Sequence, residues 1–178
     1  MKHFIDIGSN TGQTFTEFLS KTTEYDGWTI WCFEPSPRHL PGLMRTAAEH
    51  CHRYTIKIFP FGIGGQAGIA RLFEKDDPRG DSFHDKLNGT HNLEQGYEVF
   101  SPLIQLQGLI RGFVPPEDEV VAKLDCEGSE YGIMESLLSD CPPQLKKLLV
   151  EFHDIGTPHR TASELIEQMP LPVEPWLL

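Results

Sequence analysis

The residues of this sequence whose types and spacing suit chemistry fall in short clusters, each following an apolar run. Asp6-Ile7-Gly8-Ser9-Asn10-Thr11-Gly12 comes directly after Phe4-Ile5 and before a helical pattern. Glycines in such a place let the backbone turn sharply into a helix and approach a ligand closely. Glu34, in Phe33-Glu34-Pro35-Ser36-Pro37, lies roughly 20 residues beyond that loop, where a carboxylate can accept hydrogen bonds from ribose hydroxyls. Each cluster alone has a plain alternative, a tight strand-to-helix turn or an acidic cap before prolines. Their occurrence in register favours recognition of a nucleoside.

A further cluster is Lys123-Leu124-Asp125-Cys126-Glu127-Gly128-Ser129-Glu130. Lys123, Asp125 and Glu127 alternate, so on a strand they share one face at its carboxyl end, where ligands bind in open α/β sheets. The structural alternative is a Lys123–Asp125 ion pair followed by helix capping at Ser129 and Glu130. Glu151-Phe152-His153 repeats the arrangement, and a histidine there can act as a general base. A lone histidine can equally be structural. His50-Cys51-His52 mimics a metal cluster, but adjacent positions on a helix do not converge.

These clusters need elements to position them. Phe4–Ile7, Thr29–Phe33, Ile56–Phe61, Val120–Leu124 and Leu148–Phe152 read as strands. Thr14–Lys21, Leu40–His52, Tyr131–Leu138 and Ala162–Met169 read as helices between and after them. Strands alternating with helices predict an α/β fold with a mostly parallel central sheet and helices on both faces. A glycine-rich turn, Gly62–Gly68, leads to a short strand at Ile69–Phe73. Residues 78–96 are polar and irregular, and read as a mobile loop on the substrate side.

At 178 residues the chain fits one domain, spanning 1–178, with a core that needs no disulfide or metal. The four cysteines form no C-x-x-C pair and read as reduced thiols. A net charge of −11 without a Lys/Arg cluster argues against nucleic acid and for a small neutral acceptor. No apolar run reaches membrane-spanning length, and the chain starts at once in a strand, so a cytoplasmic location without membrane contact is expected. Oligomeric state is left open. No metal is assigned, although Asp125, Glu127 and His153 offer suitable ligand atoms.

Taken in order, Asp6–Gly12, Phe33–Pro37, Gly62–Gly68, Lys123–Glu130 and Glu151–His153 resemble FkbM-type methyltransferases over roughly residues 3–153. The resemblance implies a Rossmann-like class I methyltransferase fold using S-adenosylmethionine, with O-methylation of a small or sugar-like acceptor. It implies that Asp6, Gly8, Ser9, Asn10, Thr11 and Gly12 line the methionine and ribose portions, and that Glu34 takes the ribose hydroxyls. Phe61 and Gly62 would approach the adenine, with Ser82 nearby. Asp125 or His153 would take the acceptor proton, with Glu127 shaping the site.

Only Pro172–Leu178 remains for a further strand, so the last antiparallel hairpin is expected to be incomplete. A non-catalytic, cofactor-binding subunit is therefore an alternative. Asp-Ile-Gly-Ser-Asn-Thr also resembles the phosphate loop of actin-like phosphotransferases. Those continue into a hairpin, whereas Gln13–Leu19 reads as a helix, and 178 residues cannot hold two lobes.

Overall fold

The computed structural model describes residues 1–76, 80–84, 94–154 and 158–176. The strands β1 (Lys2–Ile7), β2 (Thr29–Phe33), β3 (Thr55–Phe59), β4 (Gly62–Ile63), β5 (Gly68–Leu72), β6 (Val99–Ile104), β7 (Glu119–Leu124), β8 (Leu145–Val150) and β9 (Val173–Pro175) form two sheets. The larger is a six-stranded, all-parallel sheet in the order β3-β2-β1-β7-β8-β9. A small sheet, β4-β6-β5, stands beside it. This is the expected Rossmann-like α/β architecture.

Both faces of the large sheet are buried, so its strands read as nearly continuous apolar runs. Along β1, Ile5 and Ile7 join one core with Trp31, Phe33, Ala122 and Leu124. That core is closed by α2 (Leu106–Phe113), α3 (Glu130–Ser139) and α4 (Ala162–Gln168). Phe4 points to the other face, into a core with Ile30, Cys32, Val121, Leu149 and Trp176. Leu43 of α1 (Leu40–His50) and Phe15 and Leu19 cover that second core.

The helix expected at Thr14–Lys21 is a π-helical turn, Thr14–Phe18, running into a 3₁₀ turn, Leu19–Lys21. Side-chain hydroxyls interfere locally: Thr16 donates to the Gln13 carbonyl at 3.2 Å and Ser20 to the Thr16 carbonyl at 2.6 Å. The third strand stops at Phe59 and β8 at Val150, so Phe61, Glu151 and His153 all lie beyond strand ends. The sequence pattern did not reveal β4, β6 or α2. After α4, whose Thr161–Glu164 capping box fixes its start, β9 pairs parallel to β8, with Leu148 opposite Val173. The last strand thus closes a crossover through α4, and among the described residues there is no antiparallel hairpin at this edge. Much of the expected 78–96 loop lies outside the described residues. Its described part includes Asp81, Ser82 and Phe83, and Ser82 forms a bridge with Phe73.

The chain runs from β1 outwards through β2 and β3, and later from β7 outwards through β8 and β9. Strand order therefore reverses between β1 and β7. Loops leaving the carboxyl ends of these two strands diverge to opposite faces and leave a crevice between them.

Candidate functional site

That crevice is a cleft open to solvent. Its apolar walls come from Ile7, Phe33, Pro35, Ile63, Leu72 and Phe83. Its polar lining includes Asn10, Gln13, Glu34, His39, Asp81, Asp125 and Glu127.

The glycine loop is pinned from within. The Gly8 and Ser9 amides donate to the Phe33 carbonyl at 3.1 and 3.2 Å, and the Gly12 amide to the Ser9 carbonyl at 2.8 Å. The Asn10 amide donates to Glu34 Oε2 at 2.7 Å, and the Thr11 amide to Asn10 Oδ1 at 2.7 Å. Every backbone N–H from Gly8 to Gly12 is therefore engaged inside the protein. A phosphate cradle needs such amides free and converging, so the phosphotransferase alternative loses its basis here.

Gly8 has φ +81°, and a Cβ built on it would lie 1.8 Å from the Asp125 carbonyl oxygen. Only glycine permits this contact between the β1 loop and the end of β7.

Glu34 is 4% exposed and lines the cleft. Its Oε1 accepts from the Ser36 amide at 2.8 Å and faces His39 Nδ1 at 3.3 Å. The carboxylate thus ties the two loops together, and a carboxylate retains further acceptor sites for a hydroxyl. Among the described residues the buried His39 Nε2 has no hydrogen-bond partner, although Asp81 Oδ2 stands 3.6 Å away. An unsatisfied buried nitrogen beside Glu34 fits a ligand hydroxyl or ring nitrogen.

The other side of the cleft is held by a buried cation. Lys123 Nζ lies 3.0 Å from Asp6 Oδ1, 3.1 Å from Asp125 Oδ2 and 2.9 Å from the Gly8 carbonyl. Asp6 and Lys123 are directly paired across β1 and β7. Burial opposes the ammonium, but Asp6 and Asp125 outweigh that and push its pKa up. The expected Lys123–Asp125 pair is present, with Asp6 as its third member.

Next to it, His153 Nδ1 sits 2.8 Å from Glu130 Oε1, and Nε2 faces Glu127, Asp125 and Glu151. Burial works against the imidazolium, but the Glu130 hydrogen bond and the charges of Glu130, Glu127 and Asp125 prevail. They raise the pKa to about 9. His153 thus holds a proton more tightly than a free imidazole does. Glu127, with φ +52°, is raised above the usual carboxylate range by burial, which the nearby His153 and Lys75 only partly offset.

The predicted residues divide. Gly8, Asn10, Glu34, Gly62, Asp125 and Glu127 line the cleft. Asp6 and Ser9 are buried beneath the loop, where Ser9 Oγ donates to the Asp6 carbonyl at 3.0 Å. Gly12 packs against Thr46, and Thr11 is exposed on the far side, accepting at its carbonyl from Thr46 Oγ1 at 2.8 Å. Phe61 packs on Phe33 and Phe59 at ring-centroid distances of 5.5 and 5.7 Å and does not line the cleft. Ser82 is 1% exposed and donates to the Glu127 carbonyl at 2.6 Å; its neighbours Asp81 and Phe83 are the ones on the cleft.

Gln13, His39, Asp81 and Phe83 were not legible in the sequence. His39 carries the one usable signal, falling just after the proline-rich turn that follows Glu34. Asp81 is placed by Arg38, whose Nε donates to its Oδ2 at 2.9 Å, a partnership no spacing rule announces.

A parallel sheet reversing at a glycine loop, an acid ending the second strand and a polar cleft between them define a Rossmann-like methyltransferase fold. The comparisons then name the family. Residues 6–169 match the methyltransferase FkbM domain, and the chain belongs to that family. Among curated proteins it is similar to the 31-O-demethyl-FK506 methyltransferase FkbM of Streptomyces tacrolimicus, at 24% identity over 176 residues. That match covers 84% of this chain and 65% of the relative's length. No solved structure matches the chain. Among the described residues, no helix is long and apolar enough to cross a membrane.

Proposed function

We propose that the chain binds S-adenosylmethionine in the cleft and methylates a hydroxyl of a small, sugar-like acceptor. The observation that carries this reading is Glu34, buried at the cleft wall beside a glycine loop whose amides are all spent. Such a wall suits ribose hydroxyls and an uncharged or cationic group, and offers nothing to a phosphate. His39 Nε2, which makes no hydrogen bond among the described residues, and the apolar wall around Phe83 fit the rest of a nucleoside.

When bound, S-adenosylmethionine supplies a methyl group activated on a sulfonium. The residues of this chain bind and orient. Glu34 would accept hydrogen bonds from the ribose hydroxyls, and Gly8 and Asn10 would hold the methionine portion. Asp125 and Glu127 present carboxylate oxygens where an acceptor hydroxyl would enter, and Glu127, with its raised pKa, is the better proton acceptor. The cation at His153 balances the charge of these carboxylates. Orientation of this kind is worth up to about 7–11 kcal/mol in a two-reactant step. O-methylation is supported by the printed name of the FkbM relative. The acceptor, a cytoplasmic location and a single domain over 1–178 belong to the same proposal.

Calorimetric titration with S-adenosylmethionine and S-adenosylhomocysteine tests it. Glu34→Gln should weaken both by about ten- to a hundred-fold, the worth of a charged hydrogen bond at about 1.5–3 kcal/mol. A folded chain that binds neither sinks the reading. Binding without transfer to any hydroxyl acceptor favours the non-catalytic subunit instead.

A further inference from the structure

His153 is held in one orientation. Its Nδ1 meets Glu130 Oε1 at 2.8 Å, and the fully buried Glu130 is itself fixed by the amides of Cys126 at 2.8 Å and Gly128 at 2.7 Å. A carboxylate on one imidazole nitrogen is how a metal-binding histidine has its tautomer and direction set. The other nitrogen, Nε2, faces Glu127 Oε1 at 3.5 Å, Asp125 Oδ1 at 3.8 Å and Glu151 Oε1 at 3.9 Å.

A simple ion pair would have closed one of these gaps to about 2.7–2.9 Å. Instead several oxygens surround the nitrogen at similar distances, all beyond hydrogen-bond range. Ligands about 2.0–2.2 Å from a common ion stand roughly 3–3.8 Å from one another, and the 3.5–3.9 Å distances here would have to contract slightly around one. Asp125 is oriented as well, with Oδ2 held by Lys123 at 3.1 Å and Oδ1 left to the cluster. The ligand atoms of Asp125, Glu151 and His153 all lie within 4.8 Å of one another.

We propose that Asp125, Glu151 and His153, flanked by Glu127, bind a divalent transition-metal cation at the carboxyl ends of β7 and β8. Carboxylates suit the harder ions and imidazole the first-row metals, so Mn²⁺ matches the mixed set best. Asp125 and Glu127 also line the cleft, so the ion would stand where an acceptor oxygen can reach it. A bound cation lowers the pKa of such a hydroxyl, a use that rests on the methyltransferase reading; the binding itself does not.

The test is Mn²⁺ titration of the full, chelator-stripped chain near neutral pH, followed by electron paramagnetic resonance. One Mn²⁺ per chain is expected, with ¹⁴N modulation from a single imidazole in the pulsed spectrum. Glu151 is 43% exposed, so Glu151→Gln should fold normally yet weaken binding at least about tenfold. His153→Gln should abolish the ¹⁴N signal, and the exposed Glu167→Gln should change nothing. Binding without ¹⁴N modulation, equal binding by Glu151→Gln, or no binding overturns the proposal. S-adenosylmethionine titrated into the metal-free chain reports separately on the cofactor reading, so the two can fail independently.

Discussion

At the β1–β2 end of the cleft, the main-chain amides of Asn10 and Ser36 donate to Glu34, which joins two loops through them. At the β7–β8 end, side-chain charges face one another, with Glu127, Asp125 and Glu151 each 3.5–3.9 Å from His153 Nε2. The first end is a rigid mould, set once the backbone is set. The second is an unfinished charge balance, closed by a proton or a cation and therefore responsive to solution conditions. Lys123 is the hinge between them, since it touches Asp6, Asp125 and the Gly8 carbonyl together.

Removing that hinge should have the largest effect. Lys123→Met strands the buried Asp6 and should cost about 3–5 kcal/mol in denaturant unfolding. Adding Asp6→Asn should recover part of the loss, because the stranded charge is gone. If Lys123→Met leaves stability unchanged, the two ends are not joined as described.

Gly8→Ala attacks the seam from the backbone. Its φ of +81° and the Asp125 carbonyl 1.8 Å from the new Cβ force the β1 loop and the end of β7 apart. Strain of about 1–3 kcal/mol is expected, with weakened cofactor binding in the same calorimetric assay. A loss of stability without any loss of binding would show that the mould tolerates movement.

The acidic end should reveal itself through pH. His153 holds its proton more tightly in the folded chain, near pKa 9, than at its ordinary 6.5. The folded state therefore carries the extra proton between these values. This stabilisation is full below about pH 6.5 and is lost as pH rises through about 9, amounting to about 1–3 kcal/mol. Unfolding curves of His153→Gln should be flatter across that window, while Glu34→Gln should keep the parental slope. The smallest effect is Ser82→Ala, which frees the Glu127 carbonyl and the His84 amide. About 1 kcal/mol and a change confined to the acidic end are expected.

The contrast also explains what could be read in advance. The strands carrying the mould announce themselves through apolar runs, and Glu34 through its distance from the glycines. Asp6 at the end of β1 and the loop residues Ser9 and Thr11 share that motif but lie beneath or behind it, because successive residues of a strand end and tight turn cannot all face one cleft. The acidic end was visible as Lys-x-Asp-x-Glu and Glu-Phe-His, yet periodicity placed Glu151 and His153 on a strand that ends at Val150. Its key partner, Glu130, reads from sequence as a helix cap, and only packing brings it against His153.

The sequence by itself determined the α/β order, the apolar strands with two buried faces, the glycine loop and the acid that answers it. These are local patterns, fixed by side-chain periodicity and backbone sterics. Tertiary structure alone decided that β9 pairs parallel to β8, that His39, Asp81 and Phe83 join the cleft, and that His153 meets Glu130 and so holds a proton more tightly than a free imidazole. Each depends on charges or surfaces brought together from distant segments. A side chain's protonation is set by its neighbours in space, and the sequence does not specify those until the chain has folded.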